Sequence, residues 1–180
     1  MPRFIALLRG VNVGNAKRVP MAEFRGLLAG LGYTGVATLL NSGNAVFRAA
    51  RGTPAAHARD IAAALSTALR VEVPVIVKSA KDLEAIVAEC PIEAGTAEHS
   101  RFLVAFVQEP RLLSALAGIA PLVEPPERFA IGSRAAYLLC GNGILDSRAG
   151  KALLGKAGRS ATTRNWATVL KLQALADGDE

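Results

Sequence analysis

The sequence predicts an α+β protein built of two small lobes, and three observations carry that expectation. Segments rich in Val, Ile, Leu and Phe alternate with segments whose apolar residues recur at three and four spacing. After a polar stretch, PIEAGTAEHS (91–100), the alternation starts again in part. With 180 residues, 51% of them hydrophobic, the chain is long enough for one compact domain or for two lobes of about 90 residues.

The elements follow in order. RFIALLRG (3–10) is a strand, and PMAEFRGLLAGLG (20–32) is a helix opened by Pro20 at its first position and closed by Gly32. GVATLL and NAVFRA form a hairpin around Asn41, Ser42, Gly43 and Asn44. TPAAHARDIAAALSTALR (53–70) is an Ala-rich helix with Ile61, Leu65 and Leu69 on one face, and EVPVIVK is the strand after it. The order β-α-β-β-α-β is that of a split βαβ, or ferredoxin-like, lobe. Phe4 to Leu8 is apolar on both faces, which implies that both faces of this strand are covered, by the second lobe or its terminal helices.

A helix over 80–90 leads into the polar loop, taken as the boundary between a first lobe of 1–92 and a second of 99–180, unless the two form one compact unit. FLVAFV is a strand, PRLLSALAGI a helix, and RFAI with AAYLLC a pair of strands about the Gly132 to Arg134 turn. Two helices are expected to end the lobe: SRAGKALLGKAG, stopped by Gly158, and TTRNWATVLKLQALA. The second lobe is therefore a partial repeat of the first in element order.

Charge is uneven along the chain. Residues 1–59 hold eight Lys or Arg and one acid, residues 60–146 carry a net −4, and residues 147–176 hold six bases and no acid. Should the two basic ends meet in space, they would make a positive surface suited to phosphate or nucleic acid. The apolar run at the start is too short for a signal-peptide core or a membrane span, so the expected location is the cytoplasm, with no membrane partner. Cys90 and Cys140 stand alone and are read as buried thiols. Neither they nor His57 and His99 have partners at metal-ligand or nucleophile spacing, so no metal, cofactor or catalytic constellation is assigned.

Three stretches are candidate ligand contacts. The first loop, RGVNVGNAKRVP (9–20), joins a strand to a helix but fits neither GxGxxG nor GxxxxGK[ST]. It offers Arg9, Asn12, Gly14, Asn15, Lys17 and Arg18, whose backbone and cations suit an anion. The hairpin tip offers Asn41, Ser42 and Asn44, either as turn formers or as polar ligand contacts. In TTRNWATVLKL, with Thr162 or Thr163 as N-cap, Arg164 falls in the first turn of the last helix. A cation there is disfavoured by about 0.3–1 kcal/mol, so a carboxylate or a bound anion should compensate it. Thr163, Arg164 and Asn165 could then converge on one anion at the helix start.

The blocks ALLRGVNVGNAKRVPMAEFRGLLAGLGYTGVATLLNSGNAVF (6–47) and TTRNWATVLKL (162–172) resemble the domain-of-unknown-function family 1697. The resemblance implies a mainly bacterial α+β protein of two small lobes with ferredoxin-like character, and it implies no activity. The Ser-Lys pair that the family carries at its penultimate helix corresponds here to Ser147 and Arg148. The leading expectation is a binding module for an anionic, nucleotide-like or phosphorylated ligand held in an interlobe cleft. The alternatives are sequence-independent nucleic-acid binding, which the 5% aromatic content disfavours, and an enzyme acting on a phosphorylated small molecule.

Overall fold

A computed structural model of the chain describes residues 1–14 and 17–178, so Asn15 of the first loop lies outside the described residues. The chain divides into two units, Met1–Leu83 with Leu172–Glu180, and Glu84–Lys171. The division thus falls inside a helix and not in the polar loop 91–100, where Thr96–Arg101 forms 3-10 turns within the second unit.

In the first unit the order β-α-β-β-α-β is observed: β1 (Arg3–Leu8), α1 (Met21–Gly30), β2 (Thr34–Leu39), β3 (Asn44–Arg48), α2 (Pro54–Leu69) and β4 (Val75–Ser79). Pro20 keeps an extended ψ of 133° immediately ahead of α1, one position earlier than expected. Thr53 caps α2 by accepting from the Ala56 N–H at 3.1 Å, a bond typically worth about 1 kcal/mol. The antiparallel sheet runs β2-β3-β1-β4. One of its faces meets α1 and α2 in a core of Phe4, Ala6 and Leu8 against Phe24, Leu28, Ile61 and Leu65. Ile5 and Leu7, on the opposite face of β1, are buried as well, as its unbroken apolar run requires. α3 (Ala80–Ala88) follows β4 directly, with the Asp82 N–H donating to Ser79 Oγ at 3.0 Å.

The second unit holds β5 (Phe102–Val107), a 3-10 stretch (Pro110–Leu122), β6 (Arg128–Ile131), β7 (Ala135–Leu139), α4 (Arg148–Leu154) and β8 (Ala161–Asn165). Its strand order, β6-β7-β5-β8, repeats that of the first sheet. The core packs Leu103, Ala105 and Val107 against Leu113, Leu116, Ile119 and Leu153. Here the structure corrects the sequence. Residues 161–165 form a strand paired along β5, with Val104 opposite Arg164 and Ala105 opposite Thr163, so the repeat carries a fourth strand between its last two helices. Two adjacent threonines suit a pleated surface better than a helix start. The last helix, α5, begins only at Trp166 and runs to Asp177.

Cys140 is fully buried, as expected, whereas Cys90 is only half-buried, its thiol donating to the Ile92 carbonyl at 3.3 Å. Among the described residues no helix is long and apolar enough to cross a membrane. None of their His, Cys, Asp and Glu side chains forms a group of three able to hold a metal ion.

Candidate functional site

In the first unit, the loop after β1 and the hairpin tip before β3 are bound into one substructure. Asn12 makes the junction. Its Nδ2 donates to the Val19 carbonyl at 2.7 Å and to the Asn41 carbonyl at 2.8 Å, while its Oδ1 accepts from the Val19 N–H at 2.9 Å. The Asn12 N–H donates to the Lys17 carbonyl at 2.8 Å, which closes the loop on itself. The Leu8 N–H donates to the Gly43 carbonyl at 2.9 Å and ties the hairpin tip to the end of β1.

The backbone of this substructure is unusual. Asn12 (φ 57°) and Leu40 (φ 59°) occupy the left-handed region, beside Gly10, Gly14 and Gly43. For Leu40, which is exposed, the conformation carries a steric cost of about 1–2 kcal/mol. At Gly43 a side chain has no room, because a Cβ would lie 2.7 Å from Leu8 Cβ.

Several of the sequence-predicted contacts therefore serve the backbone. Asn44 is buried, and its Nδ2 donates to the Leu39 carbonyl and to Ser42 Oγ, both at 2.8 Å. The Lys17 ammonium donates to the Glu72 carbonyl. Arg9, Gly14, Arg18 and Asn41 border the same substructure, with Gly14, Arg18 and Asn41 exposed and Arg9 half-buried. Burial pulls the Arg9 guanidinium below its usual pKa.

Thr163, Arg164 and Asn165 belong to the second unit. Arg164 lies on β8 ahead of α5, so a cation in the first turn, the premise for a compensating anion at that helix start, does not hold. Its side chain is buried and donates to the Thr163 carbonyl at 2.8 Å, and desolvation brings its pKa down to about 10. The helix is capped by Asn165, whose Oδ1 accepts from the Thr168 N–H at 2.9 Å, in place of the expected threonine. Ser147 caps α4 by accepting from the Gly150 N–H at 2.9 Å, and Arg148 pairs with Glu124 at 3.2 Å.

Sequence reasoning missed two features. His57, assigned no partner, shares a hydrogen bond with Tyr33 Oη. Arg3 and Arg48 stand directly opposite each other in the β1–β3 ladder. The signal for the second was present, since each arginine closes the outer end of a strand in the same predicted sheet.

The fold defines a two-unit α+β protein, and in its first unit Asn12 hydrogen-bonds the loop after β1 to the hairpin tip. The chain belongs to the family described as protein of unknown function (DUF1697), whose model matches residues 1–137. It is similar in structure to a conserved bacterial protein from Streptococcus pneumoniae, with a TM-score of 0.81 and 24% identity over 98% of this chain and 99% of that one. No curated protein matches the chain.

Proposed function

We propose that the protein binds an anionic, phosphate-bearing small molecule on the loop pair of its first unit. The observation that carries this reading is the Asn12 junction, which fixes the loop after β1 against the hairpin tip through bonds to both Val19 and Asn41. A loop pair held in place before binding loses little ordering entropy when a ligand arrives. Strained backbone in such a position is a recurrent property of ligand-binding loops. Arg9 and Arg18 supply the charge, and the guanidinium fork suits phosphate oxygens bidentately. Gly14 lets backbone approach the ligand closely, and Asn41 and Ser42 add polar contacts at the tip.

Thermal denaturation of the full chain against nucleotides and sugar phosphates tests the reading. A ligand at a hundred times its Kd stabilises the folded state by about 2.7 kcal/mol, which is readable as a rise of several degrees. The rise should vanish in an Arg9→Ala/Arg18→Ala variant. No shift with any anion, or an equal shift in that variant, would overturn the assignment.

A further inference from the structure

In the second unit, β5 begins directly after Arg101 and its antiparallel neighbour β7 ends directly before Cys140, with Phe102 opposite Leu139. The Cys140 N–H donates to the Arg101 carbonyl at 3.0 Å, so the ladder holds together the two segments that leave this end of the sheet. A cavity of about 500 Å³ opens there, lined by Ser100 and Arg101 from one segment and by Gly141, Asn142, Gly143 and Ile144 from the other. All of these residues belong to the second unit, and none is part of the loop pair of the first. A cavity of that volume accommodates a small organic molecule.

Its lining offers hydrogen-bond donors that the protein does not use. The Arg101 Nη1 donates to the Ala97 carbonyl at 3.5 Å, and Nη2 lies 3.8 Å from Glu98. Nε is withdrawn from solvent and has no hydrogen-bond partner among the described residues. A buried donor left unpaired costs about 1–3 kcal/mol, which an acceptor entering the cavity would relieve. Among the described residues, the Asn142 and Gly143 N–H groups find no acceptor either. Gly143 holds φ at 107° with open space where a Cβ would stand, so a ligand can approach the backbone closely. Ser100 adds an exposed hydroxyl.

The charges around the cavity limit what it can take. Arg101 is the one charged residue in the lining, and carboxylates border it. Glu98 faces Nη2, Glu127 Oε2 accepts from the Gly141 N–H at 3.4 Å, and Asp146 is exposed three residues beyond Gly143. One negative charge on a ligand gains the attraction of the guanidinium, whereas a second meets the repulsion of these acids. We propose that this cavity is a carboxylate site, which takes the carboxylate of a small organic acid between the Arg101 guanidinium and the N–H groups of Asn142 and Gly143, and which disfavours phosphate dianions. A guanidinium matches the two oxygens of a carboxylate. Ile144, in the same lining, gives the organic part of the acid an apolar contact.

Amide proton–nitrogen spectra of the full chain at about pH 8, where phosphate is chiefly a dianion, test the proposal. The probes are isovalerate, its neutral counterpart isovaleramide, and inorganic phosphate. Isovalerate should shift the Asn142 and Gly143 amides saturably, and the other two should act on them tenfold or more weakly. Arg101→Gln should weaken isovalerate binding by tenfold or more. Glu127→Gln, which keeps an acceptor for the Gly141 N–H, should narrow the preference for isovalerate over phosphate by threefold or more. Arg9→Ala/Arg18→Ala should leave these shifts intact, so that this site and the loop pair stand or fall separately. The proposal is overturned if isovalerate leaves both amides unmoved at tens of millimolar, if isovaleramide or phosphate moves them as readily, or if Glu127→Gln leaves the preference unchanged.

Discussion

Tyr33 Oη and His57 Nδ1 lie 2.8 Å apart in the core of the first unit, inside a cage formed with Phe4 and Phe47. The imidazole is 5% exposed, and its Nε2 has no hydrogen-bond partner among the described residues. Burial holds the His57 pKa below its ordinary value, with the Asp60 charge opposing in part. The same burial raises the Tyr33 phenol to about 12, so it remains protonated throughout the neutral range.

A pH dependence follows with a definite sign. His57 is neutral in the folded state and takes up a proton more readily when unfolded, where its pKa is about 6.5. Stability is therefore full above that value, and it declines as pH falls from about 6.5 through the lower pKa of the folded state. Urea denaturation at steps between pH 8 and pH 5 should show this decline, and His57→Gln should flatten it. Tyr33→Phe, which removes the partner of Nδ1, should cost about 1–3 kcal/mol at pH 8.

Gly43→Ala tests the union of the hairpin tip with β1. At φ 90° an alanine is strained, and its Cβ would stand 2.7 Å from Leu8 Cβ and 2.9 Å from Val11 Cγ2, both in side chains that are fully buried. The neighbours cannot withdraw without opening the core. A loss of about 2–4 kcal/mol in urea denaturation is expected, against about 1 kcal/mol if only the backbone angle mattered.

The parts of the fold legible in the sequence are those where a local pattern decides the structure. The order from β1 to β4 could be read because each apolar run is bounded by Gly, Pro or Asn, and α2 because Ile61 and Leu65 recur on one face behind a capping threonine. β8 could not, because ATTRN is short, polar and joined directly to α5, so its strand character depends on hydrogen bonding to β5. The first loop and the hairpin tip are legible as separate polar stretches, but the side chain that joins them, Asn12, acts across 29 residues. The Arg3–Arg48 pair depends on strand register, which a single-residue slip would have abolished.

Asn12 can be dissected by two substitutions. Alanine removes three hydrogen bonds and places a Cβ at φ 57° without the local bonding that lets asparagine tolerate it. Glycine removes the same bonds and relieves the backbone. Asn12→Ala should destabilise the protein by about 2–4 kcal/mol, and Asn12→Gly by about 1 kcal/mol less. If the loop pair is the ligand platform, both variants should also lose the stabilisation by phosphate-bearing ligands that the unsubstituted chain shows. Equal destabilisation by the two substitutions would mean that the backbone at residue 12 carries no strain.

The start of α5 supplies the sharpest test of the corrected C-terminal region. With the helix beginning at Trp166, the side chain that satisfies its free N–H groups is Asn165, through the bond from the Thr168 N–H to Oδ1. Asn165→Ala should cost about 1 kcal/mol and abolish the amide-exchange protection of Thr168. Thr163→Ala should leave that protection intact, because residue 163 pairs opposite Ala105 in the sheet and its contribution is that of a strand residue. Had the helix begun at the threonines, the outcome would be reversed, with Thr163→Ala freeing amides near Asn165 and Trp166 while Thr168 stayed protected by its own helical bond. Amide exchange at Thr168 in the two variants therefore decides between a strand carrying Arg164 into the sheet and a helix carrying it at its positive end.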